Sequence, residues 1–316
     1  MKRLLFIFVA FIFTTCYAQN DSTKILNLIS YLERGETLYY SVTKTRIDSS
    51  STKEPKTTEA AFNFKITVKD STDSNYVISY YRTADVFSNP KLIELPEEMQ
   101  KKLIDLSTIK FDYETDEMGT FKGILNEHIL AEKIASDFKE LKDIFTTENS
   151  NEQLKNFMEE FVGSVDPNSL IALYAQDIQA LHYALGASFN PQDTIPFEEE
   201  VIAPIFNIPL TLKGILYCEE YDEENDYFSL VEEKTMEGNF VDKMLEFLKK
   251  HENKENPIKE NELKDLKMDI YFHNTYQYNS HYGVATYIEL YKEITVDGKD
   301  ENMKRIDIYE ISLVEE

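Results

Sequence analysis

The chain has 316 residues, and its 33 Lys and Arg against 58 Asp and Glu give a formal net charge of −25. So negative a chain repels phosphate backbones, which argues against nucleic acid as a partner. Apolar residues make up 42 %, enough to build a core, and nine Gly and nine Pro exclude collagen-like and low-complexity classes.

Residues 1–18 predict a secretory signal peptide. Two basic residues precede an apolar run at 4–13, and Cys16 and Ala18 occupy the small-residue positions before a cleavage site. The run is shorter than the roughly 20 residues that span a bilayer. We therefore expect an exported protein, periplasmic or extracellular, with no membrane span after leader removal. A lipoprotein anchored through Cys16 is the alternative, although the residues before this cysteine make a poor lipobox.

The chain that follows the leader opens with a helical pattern. Ile25, Leu28, Ile29 and Leu32 have helical spacing, and Gly35 is a stop signal, so a short amphipathic helix is predicted. One cysteine, Cys218, remains after cleavage, so no internal disulfide is expected and the core must stabilise the fold.

Two β-rich blocks are predicted from the alternation of apolar and polar residues. In the first, polar stretches at 48–59 and 70–75 are expected to be a loop and a turn. In the second, the acidic stretch 222–226 is expected to be a hairpin turn. The predicted strands are centred on 38–42, 62–68, 76–80, 109–113, 208–212, 214–221, 227–235, 266–278, 283–296 and 303–314.

Helical patterns lie between and within the β blocks. The stretch 126–188 predicts several helices, one of them at 150–162, and a further helix is predicted near 239–248. The segment 167–185 is apolar on much of its circumference, which is typical of a central helix.

Strands grouped apart from helices predict an α+β fold: a curved, mainly antiparallel β-sheet, half-barrel-like, packed against a central helical layer. No Pro-, Gly- or Ser-rich linker divides the chain, so 19–316 is expected to be a single α+β domain. Strands followed by a helix recur in each half, which leaves 19–190 and 191–316 as candidate pseudo-repeated halves.

Motif searches predict no catalytic residue, no metal site and no cofactor. The five His lack the HExxH and HxH spacings of metal sites, and Walker, GxGxxG and GxSxG motifs are missing. The acidic stretch 222–226 lacks the Gly that a calcium loop needs at its sixth position.

Several short pieces resemble a group of uncharacterised exported bacterial proteins: the leader end at 16–19, the segment 35–40, and the segments 113–119 and 121–126. In the order of its elements, the chain also resembles LolA-like periplasmic carriers, whose half-barrel sheet cups an apolar ligand against helices. This second resemblance is at the level of the fold and implies no site residue.

Three hypotheses for function follow. The first is a non-enzymatic envelope protein that binds a hydrophobic small molecule or an envelope protein, with a pocket walled by Tyr174, Ile178, Leu181, His182 and Leu185. The second is a hydrolase with a dispersed active site, for which the candidates are Asp269, Tyr271 and His273. The third is a scaffold or interaction module without a small ligand.

Overall fold

The computed structural model describes residues 25–83, 108–145, 167–203, 208–236, 267–298 and 302–314, with isolated positions at 97, 101, 104, 105 and 238. The leader, the helix predicted at 150–162 and the one predicted near 239–248 lie outside the described residues and stay predictions.

Strands account for most of the described chain. In chain order they are β1 (Leu26–Asn27), β2 (Thr37–Ser50), β3 (Lys53–Ser71), β4 (Asn75–Thr83), β5 (Ile109–Asp116), β6 (Phe121–Ile124), β7 (Ser188–Phe189), β8 (Thr194–Ala203), β9 (Ile208–Asp222), β10 (Tyr227–Met236), β11 (Lys267–Asn279), β12 (Val284–Asp297) and β13 (Asn302–Leu313). The two described helices are α1 (Glu127–Phe145) and α2 (Pro167–Leu181).

Eleven strands form one sheet in the order β6-β5-β4-β3-β2-β13-β12-β11-β10-β9-β8. Every neighbouring pair is antiparallel, as the alternation predicted. The sheet consists of two meanders, β2–β6 and β8–β13, that meet where the first long strand pairs with the last, from Tyr40 opposite Leu313 to Ser50 opposite Met303. The turns predicted at 70–75 and 222–226 are confirmed.

One face of the sheet, here called the helix-side face, packs against α2. Along β2 to β5 it carries a continuous run of stacked rings, from Tyr40 through Phe64 and Tyr80 to Phe111, with centroids 4.9–5.2 Å apart. From α2 and the turn after it, Ile178, Leu181 and Leu185 complete this core, and each is at most 5 % exposed. Burial of these apolar surfaces is the main stabilising term of the fold.

The predicted α+β architecture with a central helical layer is wrong. The described chain is mostly β, with two helices beside one large antiparallel sheet. The excess of strand has a clear origin at 48–59, which was predicted to be a loop: β2 and β3 continue through it as a long hairpin, with the turn at 51–52. Residues 51–59 are mostly polar and are all exposed, so a search for apolar periodicity detects no strand there.

The helix predicted at 25–32 is also wrong. Leu28, Ser30 and Leu32 are buried in alternation, as in extended chain. The backbone bonds to other parts of the chain: the Leu28 N–H donates to Ala187 O at 3.2 Å, and the Ser30 N–H donates to Met118 O at 3.0 Å. These tertiary bonds replace the internal hydrogen bonds that a helix would have formed.

Candidate functional site

A cavity of about 690 Å³ opens on the helix-side face, next to Tyr309 and to Gln176 of α2. Its lining comes from six strands, β2, β3, β10, β11, β12 and β13, and from Gln176 of α2. The volume falls within the range of roughly 300–1,000 Å³ that is usual for small-molecule sites. Apolar side chains in the lining include Phe272, Leu290 and Ala60.

The strand register places a row of charged side chains across this cavity. Five residues lie directly opposite one another on successive strands: Arg46, Asp307, Lys292, Phe272 and Lys234. We call this the charged row. Two residues along the strands from this row, toward the core, Lys44 lies opposite Tyr309, and Tyr309 lies opposite Leu290. Along β12, the helix-side face therefore changes from the apolar Leu290 to the cationic Lys292 within two residues.

Some of the cations in the cavity are neutralised by carboxylates. Arg46 Nε lies 2.7 Å from Asp307 Oδ1, and Lys234 Nζ lies 3.2 Å from Glu199 and 3.1 Å from the buried Glu232. The Glu232 carboxylate also accepts hydrogen bonds from the Tyr183 hydroxyl and the Asn274 amide, both at 2.6 Å.

A second buried carboxylate, Asp177 on α2, ties the helix to the sheet beside the cavity. It accepts hydrogen bonds from the Tyr80 hydroxyl at 2.7 Å and from the Tyr309 hydroxyl, and Arg82 Nη1 lies 3.9 Å away. Burial first, and then the charge of Asp177, raise the pKa of both tyrosines above their ordinary value. Both hydroxyls therefore stay protonated and serve as donors to the carboxylate.

Three lysines in the lining face aromatic rings; Lys234, 5.4 Å from the centre of the Phe272 ring, also has carboxylate partners, whereas Lys44 and Lys292 do not within the described chain. Lys44 Nζ lies 4.3 Å from the centre of the Tyr309 ring and 5.3 Å from that of Phe62, and Lys292 Nζ lies 5.6 Å from that of Phe272. Within the described part of the chain, neither ammonium has a carboxylate within 4.0 Å. Burial lowers the pKa of Lys44, and the charge of Arg82 adds to this effect while that of Asp177 opposes it.

The residues predicted to wall a pocket lie in the core instead of along this cavity. Ile178, Leu181, His182 and Leu185 are all buried, and the side chain of Tyr174 lies outside the described residues. None of these four is among the lining residues, and α2 reaches the cavity through Gln176. A pocket walled by the predicted residues stays a prediction.

His182 is held by two hydrogen bonds inside the core. Its Nδ1 lies 2.7 Å from Gly119 O, which can only accept, so Nδ1 carries the proton; Nε2 lies 3.0 Å from the Tyr113 hydroxyl and accepts from it. Burial lowers the pKa of His182 to about 4, although the hydrogen bond to Gly119 O and the charge of Asp116 oppose this shift. The imidazole is therefore a neutral structural group near pH 7.

The three hydrolase candidates are only partly brought together, on the face opposite α2. The Tyr271 hydroxyl lies 3.4 Å from His273 Nδ1, but the carboxylate beside His273 is Glu233, at 3.6 Å, which also accepts from the Tyr217 hydroxyl at 3.2 Å. Asp269 is exposed near the start of β11. A hollow of about 220 Å³ next to Tyr271 and Glu233 is lined by neither Asp269 nor His273.

The sequence alone did not reveal the cavity lining. Lys44, Arg46 and Lys292 belong to no binding motif that the sequence shows, and only the register across β2, β13 and β12 brings them to one cavity. Their even spacing with the buried Tyr40 and Val42 is the signal that could have placed Lys44 and Arg46 on the helix-side face. Among the described residues there is no group of three or more His, Cys, Asp or Glu that could hold a metal ion.

No protein-family model and no curated protein matches the chain. Among solved structures it is similar to lipovitellin, in a structure described as showing lipid–protein interactions, with TM-score 0.38 and 10 % identity over 90 % of this chain and 26 % of that one. It is also similar to Ail, the attachment invasion locus protein of Yersinia pestis, with TM-score 0.16 and 5 % identity over 89 % of this chain and 100 % of that one.

The chain spans about a quarter of the length of the lipovitellin chain that it matches. Both TM-scores are below 0.5, so neither likeness carries an argument about function. In the part of the chain that the structure describes, neither α1 nor α2 is long and apolar enough to cross a bilayer.

Proposed function

We propose that the chain is an exported, non-enzymatic binding protein that holds a hydrophobic small molecule in the cavity on the helix-side face. The observation that carries this proposal is the cavity of about 690 Å³, whose lining combines apolar and aromatic side chains with a larger number of polar and charged ones. Support for export comes from the leader predicted at 1–18.

The arrangement of the lining suits binding better than catalysis. The buried carboxylates Asp177 and Glu232 are each engaged by several donors, which fixes them as structural anchors beside the cavity. A general base has to be free to accept a proton from its substrate. The hydrolase hypothesis therefore gains no support from this site, nor from the opposite face, where Asp269 stands apart from His273.

Filling the cavity tests the proposal. Ala60 and Ala61 are consecutive on β3 and point to opposite faces, and only Ala60 lines the cavity. We expect Ala60→Trp to abolish binding of the neutral probe N-phenyl-1-naphthylamine, measured by its fluorescence, and Ala61→Trp to leave it unchanged.

Each outcome of this experiment is decisive. Binding that is lost in Ala60→Trp and kept in Ala61→Trp supports the cavity as the site, provided that circular dichroism shows both variants folded. A wild-type chain that does not bind the neutral probe, or variants that bind it equally well, would overturn the proposal.

A further inference from the structure

The electrostatics of the cavity run against those of the chain as a whole. The chain carries a net charge of −25, yet the lining holds five cationic residues against three carboxylic acids. Of the acids, Asp307 is paired with Arg46, and Asp48 Oδ1 lies 2.8 Å from Arg305 Nε. The cavity lining therefore keeps an excess of positive charge. If the charged residues of this acidic chain were distributed at random, an excess of negative charge would be expected there.

Of the other cations, Lys234 is paired with Glu199 and Glu232 and Lys56 is exposed to solvent, which leaves Lys44 and Lys292. Both side chains are half-buried, and aromatic rings are their neighbours where a carboxylate would be expected. Removing an ammonium from water is costly unless an opposite charge compensates it, and a ring face compensates only in part. A negatively charged group from outside the described chain would complete this arrangement.

The two lysines are also placed to act on one ligand. Lys44 is on β2 and Lys292 on β12, on either side of β13, and both border the same cavity. On β13, Tyr309 and the Arg46-paired Asp307 lie between them, and the apolar Leu290 and the ring of Phe272 lie beside Lys292. An anionic group held by the ammonium groups would leave the rest of a ligand against this apolar surface.

We propose that the ligand is an amphiphile with an anionic head group, a carboxylate or a phosphate, held by Lys44 and Lys292, with its apolar chain against Phe272 and Leu290. This inference rests on the proposed function, because it specifies the ligand of the same cavity. The two head groups share the chemistry of a negatively charged oxygen acceptor for an ammonium donor.

The test compares ligands of one chain length that differ in charge. Dodecanoate, dodecyl phosphate and dodecanol are each used to displace N-phenyl-1-naphthylamine from the wild-type chain at low salt. Because a hydrogen bond to a charged group is stronger than a neutral one, we expect at least one of the anionic ligands to bind about tenfold more tightly than dodecanol.

Charge-removing variants locate the effect. We expect Lys44→Gln and Lys292→Gln each to reduce the preference for the anion to less than half of the wild-type value, and Lys44→Arg to restore most of it. The matched control is Lys65→Gln, which removes the same charge from similar surroundings. Lys65 is on the opposite face of the sheet, and its Nζ lies 5.9 Å and 5.4 Å from the centres of the Tyr39 and Tyr81 rings. We expect this variant to retain the wild-type preference.

The outcomes separate the two proposals. If dodecanol displaces the probe as well as both anions do and the variants change nothing, the head-group inference fails while the binding function stands. If the wild-type chain binds the probe in the cavity but no ligand displaces it, the head-group inference again fails alone, and if the wild-type chain does not bind the probe, both proposals fail. If inorganic phosphate or acetate displaced the probe at the same concentrations, the site would be one for free anions, and the proposal of an amphiphilic ligand would be wrong. A preference for dodecyl phosphate over dodecanoate, or the reverse, identifies the head group.

Discussion

At the scale of single residues, His182 shows how burial decides the role of a titratable group. The sequence places it among apolar helix residues, and the structure gives each ring nitrogen one partner, Gly119 O and the Tyr113 hydroxyl. With Nδ1 donating and Nε2 accepting, the neutral ring is fully satisfied, and a second proton on Nε2 would break the bond from Tyr113. In its neutral form the residue links the turn after α2 to Tyr113 on β5.

This linkage predicts a pH dependence of stability. Burial lowers the pKa of His182 from 6.5 to about 4 in the folded chain. Between these values the unfolded chain binds a proton that the folded chain does not, so the free energy of unfolding falls as the pH drops from 6.5 to 4, by about 3 kcal/mol at most. His182→Gln cannot take up this proton, so its deficit relative to the wild type at pH 7 should shrink by that amount at pH 4.

Urea unfolding of both proteins at several pH values measures the difference. The exposed His281 provides the matched control, because His281→Gln should follow the wild type at every pH. Parallel loss of stability by the wild type and His182→Gln would contradict the prediction.

At the scale of elements, the segment before β2 depends on turns far along the chain. The Tyr31 N–H donates to Tyr282 O at 2.9 Å, and the neighbouring Gly283 has φ +62°, in the left-handed region. A Cβ at this glycine would lie 2.0 Å from Ile29 O. Glycine is thus required here twice, by the backbone conformation and by the close approach of the N-terminal segment.

Comparison with Gly35 separates the cost of the backbone conformation from the cost of the close contact with Ile29. Gly35 has φ +90° but nothing within 4 Å of its missing Cβ. We expect Gly35→Ala to cost roughly 1–2 kcal/mol from backbone strain alone. Gly283→Ala should cost at least about 1 kcal/mol more, because it also displaces the segment 28–30. Chemical denaturation of the two variants checks the order, and equal losses would show that the contact with Ile29 is unimportant.

The same scale shows what the sequence could and could not predict. Strands such as β4, β5 and β11 were predictable because their inward residues are apolar and alternate strictly. The hairpin at 48–59 was not, because its residues are mostly polar on both faces, and the extended conformation of 25–32 was not, because its hydrogen-bond partners are distant in sequence. The cavity joins strands from both ends of the chain: Lys44 and Lys292 become neighbours through pairing with β13, which no local pattern encodes.

At the scale of the whole molecule, the excess of acid is the dominant electrostatic feature. Ion pairs such as Arg46–Asp307 and Arg305–Asp48 are partly exposed and contribute little individually. The net charge of −25, in contrast, repels itself more strongly in the compact state than in the extended one. Salt weakens both the repulsion among the excess acids and the attraction within the surface ion pairs. We expect the first effect to be larger, so that salt stabilises the fold.

Thermal unfolding in increasing salt tests this balance. Raising NaCl from about 0.01 M to about 0.15 M shortens the screening length from roughly 30 Å to roughly 8 Å. We expect the unfolding midpoint to rise by about 2–4 °C for each kcal/mol of repulsion removed. KCl at the same ionic strength should act equally, whereas a midpoint that falls with salt would show that attractive pairs dominate.

The pairing of the first long strand with the last has a consequence for how the chain reaches its native state. A polypeptide made from its amino end leaves one edge of β2 without a partner until β13 has been synthesised, and closing so distant a contact is slow. During this delay the open edge can accept any matching strand. The β13 of a second copy matches it residue for residue, so an exchanged dimer is the characteristic error to which this topology is exposed when molecules fold side by side.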